Sequence, residues 1–147
     1  TPERSEAIIN EVFGEQCSEE ELCSQLYMTE EQLCEIHHKH HALGLHGHSH
    51  VALAGLSDRD ASREILLCKE VVEDIVGDKL DCLSYPYGYK QVVSYREEEI
   101  SKRANLTFCF TMEMCFNRDV RVAPHLLGRV NNNEAPGHKD ACFGFQD

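Results

Sequence analysis

Residues 57–88 read "SDRDASREILLCKEVVEDIVGDKLDCLSYPYG", and the way this stretch folds sets the class of the whole chain. Ser57, with Asp60 three residues on, has the pattern of a helix start. Ala61, Ile65, Cys68, Val72 and Ile75 then recur at intervals of three and four, so one face of a helix is apolar and turns to a core. Gly77 ends that helix, because glycine accepts the left-handed backbone that closes a last turn. Leu80 to Leu83 follow as a short buried strand, halted at Pro86 and Gly88. Helix, glycine, strand and turn in this order form the repeating step of an α/β fold.

The same step recurs on both sides. Thr1 and Pro2 start a helix with Ile8, Ile9, Val12 and Phe13 on its buried face. Ser18 with Glu21, and Thr29 with Gln32, have the capping-box pattern and open two more helices, the second running through Leu33 and Ile36. Ser94 with Glu97 opens another, closing near Asn105. "LTFCFT" (residues 106–111) reads as a strand, and "HLLGRV" (125–130) contains one more. Helices alternating with short apolar strands predict an α/β fold with a parallel sheet. No repeat or low-complexity linker interrupts the chain, and residues 131–147 read as an irregular tail.

The chain has 147 residues, enough for one domain with a real core. Against 14 Lys and Arg stand 26 Asp and Glu, a net charge of −12. Such a chain repels phosphate backbones, so nucleic acid is not an expected partner. No apolar stretch approaches the length of a membrane span, and no membrane partner is expected. None of the eight cysteines forms a CxxC pair. Cys23, Cys34, Cys68, Cys82 and Cys109 fall at apolar positions, where they act as small buried hydrophobes. A reducing cytoplasm fits that usage, with a disulfide framework as the alternative.

Histidines crowd one region, "HHKHHALGLHGHSH", His37 to His50. Ala42, Leu43 and Leu45 place His46 at the carboxyl end of a strand, where sites of parallel α/β folds collect. A continued strand would send His46, His48 and His50 to one face, whereas a helical turn unites only His46 and His50. Gly44 and Gly47 allow a sharp departure, so His46 and His50 are expected to converge and His48 to point elsewhere. Two neutral imidazoles at this spacing suit a borderline metal such as zinc; a solvated patch is the plainer reading. For "HHKHH" the helix end accounts for the histidines, since partly charged imidazoles favour its carbonyl-rich terminus. A metal buffer using His37 to His50 together is the remaining alternative.

From Leu26 to Pro136 the chain resembles the polysaccharide deacetylases. "GLHGHSHVAL" is similar to that family's motif of two histidines four residues apart, and "LSYPYG" to its proline-tyrosine-glycine turn. The helix, glycine and strand between them match in order and length, and "LTFCFT" and "LLGRVNNNEAP" resemble later segments. The resemblance implies a deformed or incomplete (β/α) barrel with parallel strands, a single domain over residues 1–147 lacking its N-terminal strand or strands. It implies a metal-dependent hydrolase that removes acetyl groups from a sugar or polysaccharide. His46 and His50 become ligands of a divalent metal, usually zinc, and the Tyr87 backbone amide an oxyanion donor. Tyr85, Pro86 and Gly88 shape the substrate turn, and Arg129 supports the site from the last strand.

The departures are specific. The family's opening motif, a strand ending in paired aspartates, has no counterpart in Thr1 to Leu45. Ser84 stands where many members carry arginine, and the chain has no tryptophan. A full barrel takes about 200 residues or more. Asp81 lies at the wrong end of its strand to substitute, whereas Glu113 and His125 lie at the right end. A non-catalytic carbohydrate- or metal-binding module on the same fold is the competing function. The 147-residue chain by itself is expected to release little or no acetate.

Overall fold

A computed structural model describes residue 11 and residues 18–134. The expected first helix and the tail beyond residue 134 lie outside the described residues. Two compact units divide the chain, residues 1–41 and 42–147.

In the first unit, α1 (Glu19–Leu26) starts where the Ser18 side chain accepts the Glu21 N–H. Helix α2 (Glu30–His38) opens on a complete capping box between Thr29 and Gln32. Glu30 and Glu31 in its first turn and His37 and His38 in its last both complement the helix dipole. Cys23, expected to be buried, is exposed.

The second unit is built around α3 (Asp58–Val76). The Ser57 hydroxyl accepts the Asp60 N–H at 3.2 Å and donates to its carboxylate at 2.7 Å, while Gly77 closes the helix at φ 72°. Ala61, Ile65, Cys68 and Val76 are buried, whereas Val72 is half-buried. Glu73 is the polar member of this face. Its carboxylate accepts the Leu80 N–H at 2.8 Å and pairs with Lys69 and Lys79, and Lys69 also reaches the Leu80 carbonyl. The αL turn after Gly77 is thereby tied to the start of the next strand.

That strand, β1 (Cys82–Ser84), is shorter than the sequence suggests. It pairs in parallel with β2 (Phe108–Phe110), Leu83 opposite Cys109. Leu45 bridges in parallel to Leu83 on one side, and Leu127 to Phe110 on the other. Four parallel segments thus follow one another in sequence order, with the outer two reduced to single bridges. The "HLLGRV" stretch contributes only Leu127 to this pairing. Helix α4 (Tyr95–Arg103) connects β1 to β2 and opens on the Ser94–Glu97 capping box. Leu45, Leu53, Ile65, Leu83, Tyr85, Ile100, Leu106 and Cys109 form the core between helices and strands. Arg96 secures α4 to the turn before α3, donating to the Leu53 and Leu56 carbonyls and to Asp58. The fold is α/β with parallel strands. Among the described residues no helix is long and apolar enough to cross a membrane.

Candidate functional site

Parallel pairing of Leu45 with Leu83 sends both chains in one direction, so His46 and the Pro86–Gly88 turn emerge at the same carboxyl edge. His46 Nδ1 lies 2.7 Å from the Ser84 carbonyl oxygen. A carbonyl only accepts, so Nδ1 carries the proton and Nε2 keeps its lone pair. Fixing one ring nitrogen on a backbone carbonyl is how proteins commonly orient a metal-binding imidazole.

After His46 the chain bends. Gly47 takes φ +79°, and His50 takes φ +52°, a left-handed backbone that costs a non-glycine residue about 1–3 kcal/mol. A Cβ at position 47 would lie 3.1 Å from Pro86 Cγ, so the histidine loop and the proline turn touch where glycine is required. The bend brings the His46 and His50 rings to 4.9 Å, nearly edge to face, and the His50 ring to 5.1 Å from Tyr87. His48 is exposed and makes no ring contact with the pair. The Ser49 N–H, between these histidines, donates at 2.7 Å to Glu64 Oε2 on α3.

The second motif is a tight turn in which the Gly88 N–H donates to the Tyr85 carbonyl. Pro86 takes its second position, and Tyr87 its third with φ +54°, a place that ordinarily calls for glycine. Tyr87 presents an exposed ring. Its backbone N–H makes no hydrogen bond among the described residues. Gly88 is needed for proximity: a Cβ there would sit 2.9 Å from the Met112 nitrogen. The Gly88 carbonyl accepts that N–H at 2.7 Å, locking the turn to the end of β2.

Tyr85, expected in the substrate turn, has a different place. Its side chain is fully buried, and its hydroxyl donates to the His125 carbonyl at 3.1 Å and lies 2.8 Å from Ser101 Oγ. Burial pushes its ionisation far above the usual tyrosine range. Alternation along β1 turns residues 83 and 85 to the core, so its ring is a packing element and only its backbone borders the turn.

Arg129 is exposed and donates through Nε to the Thr111 carbonyl at 2.8 Å, beside a cavity of about 340 Å³ that Met112, Met114, Val130 and Asn131 also line. No described contact joins it to the histidines. Glu113 is engaged elsewhere: its carboxylate accepts the Lys90 N–H at 2.9 Å and pairs with the Lys90 ammonium at 3.4 Å. His125 is buried with Nε2 2.8 Å from the Leu106 carbonyl, a core histidine. Among the described residues no group of three or more His, Cys, Asp or Glu could hold a metal ion. His46 and His50 stand together with a lone pair left on His46 Nε2, and among the described residues no third His, Cys, Asp or Glu completes a metal-holding group with them.

Sequence reading missed Glu64, although a signal existed. Ala61, Glu64, Ile65 and Cys68 share one helical stripe, and a half-buried carboxylate on an apolar stripe needs a partner.

Comparison with known proteins gives these features a context. The polysaccharide deacetylase family model matches residues 4–108. This reaches further upstream than the likeness read from the motifs, and ends at β2. No curated protein matches the sequence. Among solved structures, the Streptococcus pyogenes deacetylase PplD, in complex with acetate, superposes with a TM-score of 0.66 at 18% identity over 75% of this chain and 47% of its own. The BpsB deacetylase domain from Bordetella bronchiseptica gives 0.62 at 14% identity, covering 71% of this chain and 48% of that one. IcaB from Ammonifex degensii gives 0.60 at 22% identity, covering 69% and 46%. The chain spans about half the length of each of these structures.

Proposed function

The chain belongs to the polysaccharide deacetylase family, and on that premise we propose that it carries the histidine-motif part of a metal-dependent site that hydrolyses acetyl groups from a carbohydrate. The observation that carries this reading is the convergence of His46 and His50, with His46 Nδ1 bound to the Ser84 carbonyl. In it, His46 and His50 hold a divalent metal, zinc being the best match to imidazole donors. When bound, the metal supplies Lewis acidity, polarising the acetyl carbonyl and lowering the pKa of a water.

The rest falls to the chain's own groups. The Tyr87 backbone N–H, without a hydrogen bond among the described residues, belongs to the turn that emerges at the same edge and is suited to hold the oxygen on which negative charge develops. Pro86 and Gly88 fix that N–H by anchoring the turn to the histidine loop and to β2. The exposed Tyr87 ring, against His50, offers an apolar face to a sugar, and Arg129 supports the end of β2 through Thr111. The four parallel segments in sequence order support a (β/α) barrel as the parent architecture.

One observation favours a second reading. Among the described residues no group of three or more His, Cys, Asp or Glu is set to hold a metal, and the nearby Glu64 carboxylate is taken up by the Ser49 N–H, which suits a non-catalytic carbohydrate- or metal-binding module. Acetate release from acetylated polysaccharide separates the two. We expect little release from the 147-residue chain alone, since a positioned general base contributes about 10²–10⁴-fold. A longer chain supplying a strand that ends in Asp-Asp should release acetate in a metal-dependent way, and lose that activity with His46→Ala or His50→Ala. An inactive longer chain that still binds the polysaccharide would establish the binding module instead.

A further inference from the structure

We propose that Glu64 is a positioning residue, holding the residue 47–50 loop in the bent form that brings His46 and His50 together. The inference rests on the proposed role of those histidines, but its evidence lies in the loop itself. Gly47 at φ +79° and His50 at φ +52° both depart from the backbone that follows a strand. Such a bend persists only where its surroundings hold it.

Very little does. Among the described residues, the backbone of residues 47–51 makes a single hydrogen bond, from the Ser49 N–H to Glu64 Oε2 at 2.7 Å. That N–H lies between Gly47 and His50, so one bond restrains both unusual dihedrals. Its acceptor is a carboxylate, which makes the bond stronger than a neutral one. The carboxylate is carried by a 19-residue helix whose Ala61, Ile65 and Cys68 are buried, so it stands on a rigid support. It also flanks Gly47: a Cβ there would lie 3.9 Å from Glu64 Oε2 and 3.1 Å from Pro86 Cγ. The loop is therefore held from α3 by Glu64 and from the other side by the proline turn. Glu64 acts through Ser49, at one remove from the imidazoles.

Glu64→Ala removes the acceptor while keeping the helix, because alanine is the best helix former. Glu64→Gln keeps an acceptor oxygen and removes only the charge. In the metal-free 147-residue chain, Glu64→Ala should speed amide exchange at Ser49 by roughly tenfold. The ¹⁵N ring signals of His46 should then lose their Nδ1–H tautomer and average like those of an exposed histidine, while Glu64→Gln stays close to wild type. In zinc titrations, Glu64→Ala should weaken binding by about 10–100-fold, as for other partners that orient metal ligands, and Glu64→Gln should restore most of it. Wild-type exchange and ring signals in Glu64→Ala would overturn the proposal, as would a Glu64→Gln protein as perturbed as Glu64→Ala. If wild-type chain takes up no zinc, the metal reading fails, and the Ser49 and His46 signals still decide the role of Glu64.

Discussion

His46 and His38 are both exposed imidazoles, but they are held differently. His46 is bound through Nδ1 to the Ser84 carbonyl and stands against His50, whereas His38 sits in the last turn of α2. His46→Ala should therefore abolish stoichiometric zinc binding, and His38→Ala should leave it nearly intact. Calorimetric titration of the two variants checks this, and equal binding by both would favour a histidine-rich buffer. The convergence of His46 and His50 was legible because it rests on local features, a four-residue spacing with glycines at 44 and 47. The role of Glu64 was hidden because its partner is 15 residues away and is a backbone group, which has no identity in a sequence. Tyr85 was assigned to the turn by its neighbours. Its place two residues after buried Leu83 pointed to the core instead.

At the level of elements, caps and stops were readable to within a residue or two. Ser57, Gly77, Thr29 and Ser94 each lie where their side chain or backbone freedom is needed. Strand lengths were not readable, because pairing depends on what the neighbouring strand offers: "HLLGRV" pairs only at Leu127. The junction of α3 and β1 carries its own pH dependence. Hydrogen bonds from Lys69 and Lys79 outweigh the cost of burial and hold the Glu73 carboxyl down at about 2. A depressed carboxyl stabilises the fold above its ordinary value of 4.5, and that contribution fades as pH falls toward about 2. Glu73→Ala should cost about 1.5–3 kcal/mol at neutral pH, in line with hydrogen bonds to a charged group. The gap between variant and wild type should narrow steadily from pH 4.5 to 2 in denaturant melts. A gap independent of pH would show that packing, not charge, sets the effect.

Across the whole molecule, alternation of helix and strand announced an α/β fold, and parallel pairing in sequence order follows it. The division at residues 41 and 42 was not legible, since no linker-like stretch marks it, although the histidine-rich run gives way there to apolar Ala42 and Leu43. The Glu73 junction also bears on the order in which the chain assembles. Its bond to Leu80 spans 7 residues and that of Lys69 spans 11, while Tyr85 reaches His125 across 40 and Arg96 reaches Leu53 across 43. Closing 40 residues rather than 7 costs about 1.5 kcal/mol more in loop entropy. The α3–β1 junction is thus the natural first event, and the Tyr85 bond a late one. In stopped-flow kinetics Glu73→Ala should chiefly slow refolding, whereas Tyr85→Phe should chiefly speed unfolding. The contact that stiffens one corner of the folded protein would then also be its starting point in time, with the histidine edge completed on a helix and strand already joined.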